Sequence, residues 1–396
     1  MTPDGLATAS TTWDDAIRVR LDETRRAGRW REIRSIDNGA PRTVLADGTP
    51  VTVFASNDYL GLSQHPAVRR AATDAIEHFG TGAGSARLIV GSRPIHDDLE
   101  RALARWKGTD AALIFPTGFA ANLGILTALA TVGDTSIFSD ELNHASIIDG
   151  ARLSRSPVTI YPHRDMAALD ALLATRGSAA AIVVSDSVFS MDGDAAPVEE
   201  LIELCRRHGA LLILDEAHSV LAEPRPGSST PDHGVEIVIV GTLSKTLGAL
   251  GGFIAGSRHV VDLCINAARS FIFTTAPTPA DCAAALAALE IVQSEEGAAL
   301  RARLRSNIDL VRSGHDSPII PVVVGSEARA VEAAAALLER GLLVPAIRPP
   351  TVAPGTCRLR IAMSAVHDPA DVEHLRDALD ELGLDEFEPA ERANRV

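Results

Sequence analysis

Cysteine is scarce in this sequence. The four cysteines, Cys205, Cys264, Cys282 and Cys357, stand far apart, and no two of them form a CxxC pair. Zinc sites usually need closely spaced cysteine pairs, whereas isolated cysteines in apolar surroundings are typical of a protein that is kept reduced. We therefore expect no metal site and a cytoplasmic protein.

Basic residues are also few, with 37 Lys and Arg against 52 Asp and Glu and a formal net charge of −15. This balance argues against a general binding surface for nucleic acid or for anionic membranes. The opening MTPDGLATASTTWDD has neither a basic nor an apolar signal region, and no uncharged apolar stretch reaches 18 residues. We expect no nucleic-acid partner and no membrane partner.

Hydrophobic residues are plentiful, at 46% of 396 residues, which is enough for a large core. Short apolar runs alternate with helical patterns from about residue 55 to 290, and this alternation predicts an α/β protein with a mainly parallel sheet. The predicted strands are AALIF (111–115), TSIFS (135–139), VTIY (158–161), AAIVVSD (180–186), ALLILD (210–215), EIVIVG (236–241) and GFIAG (252–256).

The chain divides into three predicted parts. Residues 1–50 form a charged helix and an extended, turn-rich leader, residues 51–290 a large α/β domain, and residues 291–396 a smaller α+β domain with longer helices. The stretch PRPGSSTPDHG (224–234) is predicted to be a flexible loop.

Three polar segments follow predicted strands, where ligands gather in open α/β sheets. Asp215 ends an apolar strand, so its carboxylate needs either a cation or several hydrogen-bond donors, and a protonated pyridine nitrogen is one such cation. His218 could hydrogen-bond a phenolic oxygen on the same ring, and Lys245 could form an imine with an aldehyde. Together they suit pyridoxal phosphate.

A phosphate site is predicted at TGFAAN (117–122), which begins a helix after a strand. The amides of Gly118 and Phe119 would point at an anion in the field of the helix N-terminus. Thr242 and Ser244 add hydroxyl groups beside Lys245.

Each of these signals has an alternative interpretation. Asp215 could be a capping or ion-paired carboxylate, Lys245 a surface lysine, and TGFAAN an ordinary helix start. The letters DEAH also occur in a helicase motif, but the sequence has no GxxxxGK[ST] phosphate loop and is acidic. Asp215, Lys245 and TGFAAN each stand at a strand end, and their occurrence together favours a site for pyridoxal phosphate.

From about residue 20 to 380 the sequence resembles the α-oxoamine synthases, which are pyridoxal-phosphate enzymes of fold type I. That resemblance implies a mainly parallel seven-stranded sheet with helices on both faces and a smaller C-terminal α+β domain. It is carried by SNDYLGL (56–62), HPAV (65–68), GTGAGSARLIVG (80–91), HDDLE (96–100), FPTGFAANLG (115–124), LNHASIIDG (142–150), VFSMDGDAAP (188–197), LDEAHS (214–219) and TLSKTLGALGG (242–252).

The resemblance implies roles at the cofactor. Lys245 would be the lysine bound to the aldehyde, Asp215 the partner of the pyridine nitrogen, and His218 the partner of the phenolic oxygen, with Ser190 nearby. His144 would stack on the ring; its alternative is a core or capping histidine.

The resemblance also implies residues that bind substrate or cross between subunits. Arg360 of RLR would bind the amino-acid carboxylate with help from Asn57, although such residues are often a solvated arginine and a turn-forming asparagine. Thr275 would reach the phosphate of a neighbouring subunit, which implies a homodimer with shared active sites; it could also be a plain loop threonine.

AIRPPTVAPGTCRLRIAMSAVH (346–367) is most similar to family members that condense L-alanine with a pimeloyl thioester, carried on coenzyme A or acyl-carrier protein. Glycine C-acetyltransferase and 5-aminolevulinate synthase types, and a catalytically silent binding subunit, remain alternatives. Arg31 would face the far carboxylate of the pimeloyl chain, or lie on a solvated helix face. Ser219 and Asp186 depart from the family pattern without removing a catalytic group.

Overall fold

The structure is a computed structural model that describes residues 12–221 and 234–384. The loop predicted at 224–234 lies outside the described residues except for Gly234. The strands are β1 (Arg42–Val44), β2 (Pro50–Val53), β3 (Ala111–Phe115), β4 (Thr135–Asp140), β5 (Val158–Tyr161), β6 (Ala180–Asp186), β7 (Leu211–Asp215), β8 (Ile237–Thr242), β9 (Gly252–Gly256), β10 (Ile319–Gly325), β11 (Leu342–Leu343), β12 (Ala346–Ile347) and β13 (Cys357–Ala362).

Helices lie between most of these strands. Within the described ranges, none of them is long and apolar enough to cross a bilayer. The helices are α1 (Trp13–Arg26), α2 (Pro66–Phe79), α3 (Pro94–Lys107), α4 (Gly118–Leu129), α5 (Ala145–Ser154), α6 (Met166–Ala174), α7 (Val198–His208), α8 (Arg258–Ala267), α9 (Arg269–Ile272), α10 (Pro279–Val292), α11 (Glu295–Val311), α12 (Glu327–Glu339) and α13 (Pro369–Glu381).

The central sheet has seven strands in the order β3-β9-β8-β7-β6-β4-β5. Strand β9 runs antiparallel to both of its neighbours, β3 and β8, and the other pairings are parallel. The fold class predicted from the sequence is confirmed, and each predicted strand agrees with the structure to within one residue at either end.

Helices cover both faces of this sheet because successive strand residues point to opposite sides. In β6, Ile182 and Val184 join the cluster that packs against α4, α5 and α8, whereas Val183 between them faces α6 and α7. The same second face continues over β8 and β9, where it packs against α3 and α10. Apolar residues at every position of these strands are therefore required for burial on two sides.

The C-terminal part has its own antiparallel sheet, in the order β10-β13-β12, and packs against the central sheet through a shared core. One continuous cluster contains Phe253 of the central sheet, Leu289 of α10, Ile308 of α11 and Leu359 of β13. This cluster contains residues on both sides of the predicted boundary at residue 290, so the core does not divide there. The predicted domain boundaries remain a prediction.

The end of the extended, turn-rich leader and the residues just after it form two strands that the sequence did not predict. β1 pairs with β2 in an antiparallel arrangement, and β2 pairs in parallel with β11 of the C-terminal part. Thr43, Val51 and Val53 are buried there, so β-branched residues drive strand formation despite the flanking turn residues. The predicted helix is present as α1, with no buried residue.

Gly252 begins β9 and lies against the start of α4, so its lack of a side chain is a packing requirement. A Cβ atom there would lie 2.4 Å from the backbone nitrogen of Gly118, whereas one on Gly256 would meet its nearest neighbour at 3.6 Å. We expect Gly252→Ala to lower the free energy of unfolding by about 1–3 kcal/mol through overpacking. Thermal unfolding should show a lower midpoint for Gly252→Ala and little change for Gly256→Ala; equal midpoints would contradict this close approach.

Candidate active site

The predicted functional residues come together because parallel strands end at one edge of the sheet. Asp186 and Asp215 are register partners at the ends of β6 and β7, and Gly252 pairs with both Thr242 and Phe115. The turns that follow these strands therefore lie side by side. The site forms at the position that the strand pattern predicts.

Lys245 lies in the turn after β8, with its Nζ atom 2.9 Å from Nε2 of His218. Burial is the main cause that lowers the pKa of Lys245; the charge of Arg360 lowers it further, and Asp215 is the chief opposing charge. The amine is thus brought closer to its neutral, nucleophilic form. The interpretation of Lys245 as a surface lysine is wrong.

The sequence contains only one other lysine, Lys107. Its Nζ atom is 2.7 Å from the carboxylate of Glu216 and lies over the ring of Trp106 at 3.7 Å. The two lysines thus have different surroundings, since Lys107 contacts a carboxylate directly and Lys245 contacts a histidine.

His218 is held on both ring nitrogens. Nδ1 lies 2.6 Å from the hydroxyl of Tyr59, and Nε2 faces Lys245. Burial, together with the charges of Lys245 and Arg360, keeps the pKa of His218 well below its usual value, so the ring is neutral. Burial also raises the pKa of Tyr59 to about 12, so its hydroxyl stays protonated.

Asp215 is 5% exposed, and both of its carboxylate oxygens accept hydrogen bonds. Oδ2 accepts from Nδ2 of Asn122 at 2.7 Å, and Oδ1 accepts from the backbone nitrogen of Ala217 at 2.9 Å. The same Asn122 nitrogen donates to Oγ of Ser146 at 2.9 Å. These donors fix the orientation of the carboxylate at the strand end.

His144 caps the N-terminus of α5 and is joined to Asp215 through two intermediate side chains. Its Nδ1 accepts from the backbone nitrogen of Ser146 at 3.2 Å and lies 2.7 Å from Oγ of the same residue. Ser146 in turn contacts Asn122. Burial lowers the pKa of His144. The capping interpretation is therefore confirmed, while stacking on a cofactor ring stays a prediction.

The predicted phosphate site has donors from two elements. Thr117 caps α4 by accepting from the backbone nitrogen of Ala120, so the amides of Gly118 and Phe119 stand at the open end of the helix. A Cβ atom on Gly118 would lie 3.4 Å from Thr242, whose hydroxyl is 2.7 Å from that of Ser244. Amides and hydroxyls that meet at a helix N-terminus suit an anion.

Arg360 is buried on β13, at 5% exposure, so the interpretation of it as a solvated strand arginine is wrong. Its Nε donates to the carbonyl of Ser190 at 2.6 Å, and its Nη2 donates to Oδ1 of Asn57 at 3.2 Å. The hydrogen bond of Ser190 here is thus made by its backbone, while the predicted role of its side chain remains untested.

Two predicted residues lie away from this cluster. Thr275 is exposed in the loop before α10. Arg31 is also exposed, donates from Nη2 to the carbonyl of Pro349 at 3.3 Å, and lines a groove of about 870 Å³ between the leader and the C-terminal part. Their proposed contacts, with a second subunit and with substrate, are not made within this chain.

Sequence reasoning missed three residues that hold the site together, Tyr59, Asn122 and Ser146. Each lies inside a motif that carries the family resemblance, and the sequence spacing of these motifs does not show which distant side chain each residue contacts. Asn122 and Asp215 are 93 residues apart, and Tyr59 and His218 are 159 apart. One available signal was the polar Asn122 in the otherwise apolar start of α4.

Two departures from the family pattern also lie at this edge. The carboxylate of Asp186 accepts from the backbone nitrogen of His144 at 2.8 Å, and Oγ of Ser219 is 2.5 Å from Oγ of Ser187. Both residues thus make local hydrogen bonds to the turns that carry the site.

The donor set fits pyridoxal phosphate. A buried carboxylate suits a protonated ring nitrogen, a neutral histidine suits the phenolic oxygen, and a buried amine suits the aldehyde. The open amides and paired hydroxyls at the start of α4 suit the phosphate.

Comparisons with known proteins agree with this fit. The family model for aminotransferase class I and II matches residues 49–379. An 8-amino-7-oxononanoate synthase from Geobacter sulfurreducens is 46% identical and covers 93% of this chain and 98% of that protein. Another from Anaeromyxobacter dehalogenans is 48% identical, covering 92% and 94% respectively.

Solved structures share the fold. A structure of SPT with PLP superposes with a TM-score of 0.85 at 28% identity and covers 93% of this chain and 98% of that one. An 8-amino-7-oxononanoate synthase from Francisella tularensis gives a TM-score of 0.68 at 25% identity, covering 84% and 98%. These matches and the polar groups at the sheet edge agree, and the chain belongs to the aminotransferase class I and II family of pyridoxal-phosphate enzymes and, within it, to the α-oxoamine synthases.

Proposed function

We propose that this acyltransferase condenses L-alanine with a pimeloyl thioester, giving 8-amino-7-oxononanoate, CO2 and a free thiol, as a step of biotin biosynthesis. The observation that carries the proposal is the buried group of Lys245, His218 and Asp215 with Arg360 facing the same site. The names of the relatives from Geobacter and Anaeromyxobacter support the choice of substrates.

Pyridoxal phosphate, when bound, supplies an aldehyde for an amine and a ring that stabilises negative charge at the amino-acid Cα. Lys245 contributes an amine whose lowered pKa favours the neutral form, so it can accept the Cα proton. Asp215, oriented by Asn122, would hold a proton at the ring nitrogen. His218 is neutral, so it would form a hydrogen bond with the phenolic oxygen of the cofactor without placing a positive charge beside it.

Arg360 is proposed to bind the carboxylate of the amino acid. Nε donates to Ser190 and Nη2 to Asn57, so these two bonds use only part of the five N–H donors of the guanidinium. A fixed guanidinium with a remaining donor suits a carboxylate better than a mobile ammonium does. Because Arg360 is nearly buried, this contact would be made in a desolvated place where it is strong.

We also propose a homodimer in which Thr275 reaches the phosphate of the neighbouring subunit. Apolar residues next to this loop are exposed on the single chain: Ile89 is 74% exposed, Val90 70% and Phe273 69%. The backbone nitrogen of Ala276 donates to the carbonyl of Ser85, so the loop and the apolar segment lie together. A second copy of the chain that covers these apolar residues would bury Thr275 of the first copy against the active site of the second.

The thioester carrier is proposed to be coenzyme A or acyl-carrier protein, and the compartment to be the cytoplasm. The four cysteines support a reducing location, because all of them are buried free thiols. Burial raises the pKa of Cys205, Cys264 and Cys282 to about 12, which keeps these thiols protonated and unreactive.

The proposed reaction predicts a specific product. Incubation of the enzyme with L-alanine and pimeloyl-CoA should give 8-amino-7-oxononanoate by mass spectrometry, with release of CO2 and thiol, and glycine should give at least tenfold less condensation. Faster condensation of glycine with a short acyl-CoA would instead support a glycine-using family member. No turnover with any amino acid and thioester would support the silent binding subunit.

The lowered pKa of Lys245 predicts selective covalent attachment. Borohydride reduction of the enzyme with bound pyridoxal phosphate should fix one adduct on the Lys245 peptide, because burial lowers the pKa of its amine, whereas the amine of Lys107 is held in an ion pair with Glu216. Lys107→Arg should retain the adduct and turnover, and Lys245→Ala should lose both. An adduct on the Lys107 peptide would show that the assignment is wrong.

The position of Arg31 predicts a contact with the far carboxylate of the acyl chain. In the wild type, KM should be lower for pimeloyl-CoA than for heptanoyl-CoA, and in Arg31→Ala this preference should fall about fivefold, the effect of an exposed ion pair. Arg26→Ala, at the exposed end of α1, is the control. An equal change for both thioesters in Arg31→Ala would rule out the contact.

A further inference from the structure

A short hairpin between β6 and α7 connects the central sheet with the C-terminal part. It is closed by a bridge between Val188 and Ala195, and the backbone nitrogen of Phe189 donates to the carbonyl of Asp194 at 2.9 Å. At its tip, Gly193 approaches β10 so closely that a Cβ atom would lie 2.1 Å from the carbonyl oxygen of Ile319. We call residues 188–195 the connecting hairpin.

The connecting hairpin contacts both arginines of β13. The carbonyl of Ser190 accepts from Nε of Arg360 at 2.6 Å. Arg358, two residues before Arg360 on the same strand, is 2% exposed. It donates to the carboxylate of Asp192 and to the carbonyl of Met191. Because residues two apart on a strand share a face, the hairpin receives both guanidinium groups. Its position therefore determines where the Arg360 side chain is held.

At its other end the connecting hairpin is tied to the central sheet by His163, which follows β5. Nε2 of His163 lies 2.8 Å from Oδ2 of Asp194, and Nδ1 lies 2.9 Å from Oδ1 of Asp140 at the end of β4. The ring also packs edge-on against Phe189, with centroids 4.3 Å apart. Arg164 adds a second contact to Asp194, at 3.1 Å.

Two carboxylates on the two ring nitrogens require two N–H donors. A neutral imidazole has only one, so this geometry selects the doubly protonated imidazolium. The position of Asp140 is itself fixed, since it accepts from the backbone nitrogens of Leu142 at 2.9 Å and Arg164 at 3.0 Å. The imidazolium thus joins a rigid strand end to the hairpin.

We propose that His163, protonated on both ring nitrogens, is a positioning residue that fixes the connecting hairpin and, through the carbonyl of Ser190, orients the Arg360 guanidinium toward the substrate carboxylate. The inference rests on the role proposed for Arg360 in carboxylate binding. His163 is not among the residues proposed to contact substrate or cofactor, and it acts through the hairpin.

The charges around His163 support this role at neutral pH. Burial opposes the imidazolium, but the hydrogen bonds to Asp140 and Asp194 outweigh it and raise the pKa of His163 to about 9. The other ionisable neighbours are Glu141, whose carboxylate accepts from the His163 backbone, and Arg164. The imidazolium is therefore retained throughout the neutral range.

The test compares His163→Gln with His208→Gln as a matched control. His208 also pairs with a carboxylate, that of Asp170 at 2.6 Å, but at the end of α7 and outside the site. Spectral titration of the holoenzyme should show L-alanine binding at least tenfold weaker in His163→Gln and unchanged in His208→Gln. Cofactor content should be equal in all three proteins.

A ligand without a carboxylate separates orientation of Arg360 from general damage. Ethylamine is alanine without its carboxylate, so its affinity should be the same in wild type and His163→Gln. Equal losses for alanine and ethylamine would overturn the proposal, because a merely structural defect affects both. If His163→Gln does not fold, Asp194→Asn, which keeps the side-chain size, takes its place in the same comparison.

A double-mutant cycle with Arg360→Lys tests whether the two residues act together. The double variant should bind alanine no more weakly than Arg360→Lys alone, whereas multiplied losses would overturn the proposal. If Arg360→Lys binds alanine like wild type, the role proposed for Arg360 is wrong and the inference falls with it. If His163→Gln binds alanine like wild type while Arg360→Lys binds it more weakly, the proposed function stands and the role proposed for His163 is wrong.

The raised pKa of His163 sets the sign of the pH dependence. A group whose pKa is raised on folding stabilises the protein fully below its unfolded value, near 6.5, and this contribution is lost as pH rises through about 9. The difference in thermal midpoint between wild type and His163→Gln should therefore be largest below pH 6.5 and shrink toward pH 9. A difference that grows over this range would contradict the imidazolium.

Discussion

The burial of one amine is the constraint on which the rest of the site depends. Lys245 lies in the turn after β8, a strand that is apolar on both faces, where burial disfavours an ammonium ion and lowers the pKa of the amine. Around it the protein provides a neutral histidine and two carboxylates at a distance, so that the amine is neither strongly paired nor left among cations. This balance distinguishes it from Lys107, which has a direct carboxylate partner.

The parallel sheet supplies the geometry for that balance. The carboxyl ends of β3, β4, β6, β7 and β8 meet at one edge, and each ends in a turn that carries a different polar group. Antiparallel β9 fits between β3 and β8 only because it starts with a glycine against α4. The C-terminal part then adds Arg360 from a separate sheet, across the hairpin that follows β6.

Local patterns were sufficient to predict the strands of the central sheet and the residues that follow them, because hydrophobic runs and strand ends are properties of neighbouring residues. Lys245, Asp215 and His218 were found in this way. Tyr59, Asn122 and His163 could not be assigned partners, since their contacts depend on how distant segments pack. The pairing of β2 with β11 was missed for the same reason, because it joins residues almost 300 positions apart. Arg360 was predicted from resemblance, and its burial against Ser190 came only from the fold.

The continuous core that links Phe253, Leu289, Ile308 and Leu359 limits how such a protein can diversify. A chimaera that received its C-terminal third from another family member would need side chains that pack against α10. Its strand equivalent to β13 would also have to place its arginines against the connecting hairpin. Under the contact proposed for Arg31, single replacements along the groove beside the leader would change acyl specificity without disturbing this core. Relatives with different substrates would be expected to keep the α10 face and vary the groove.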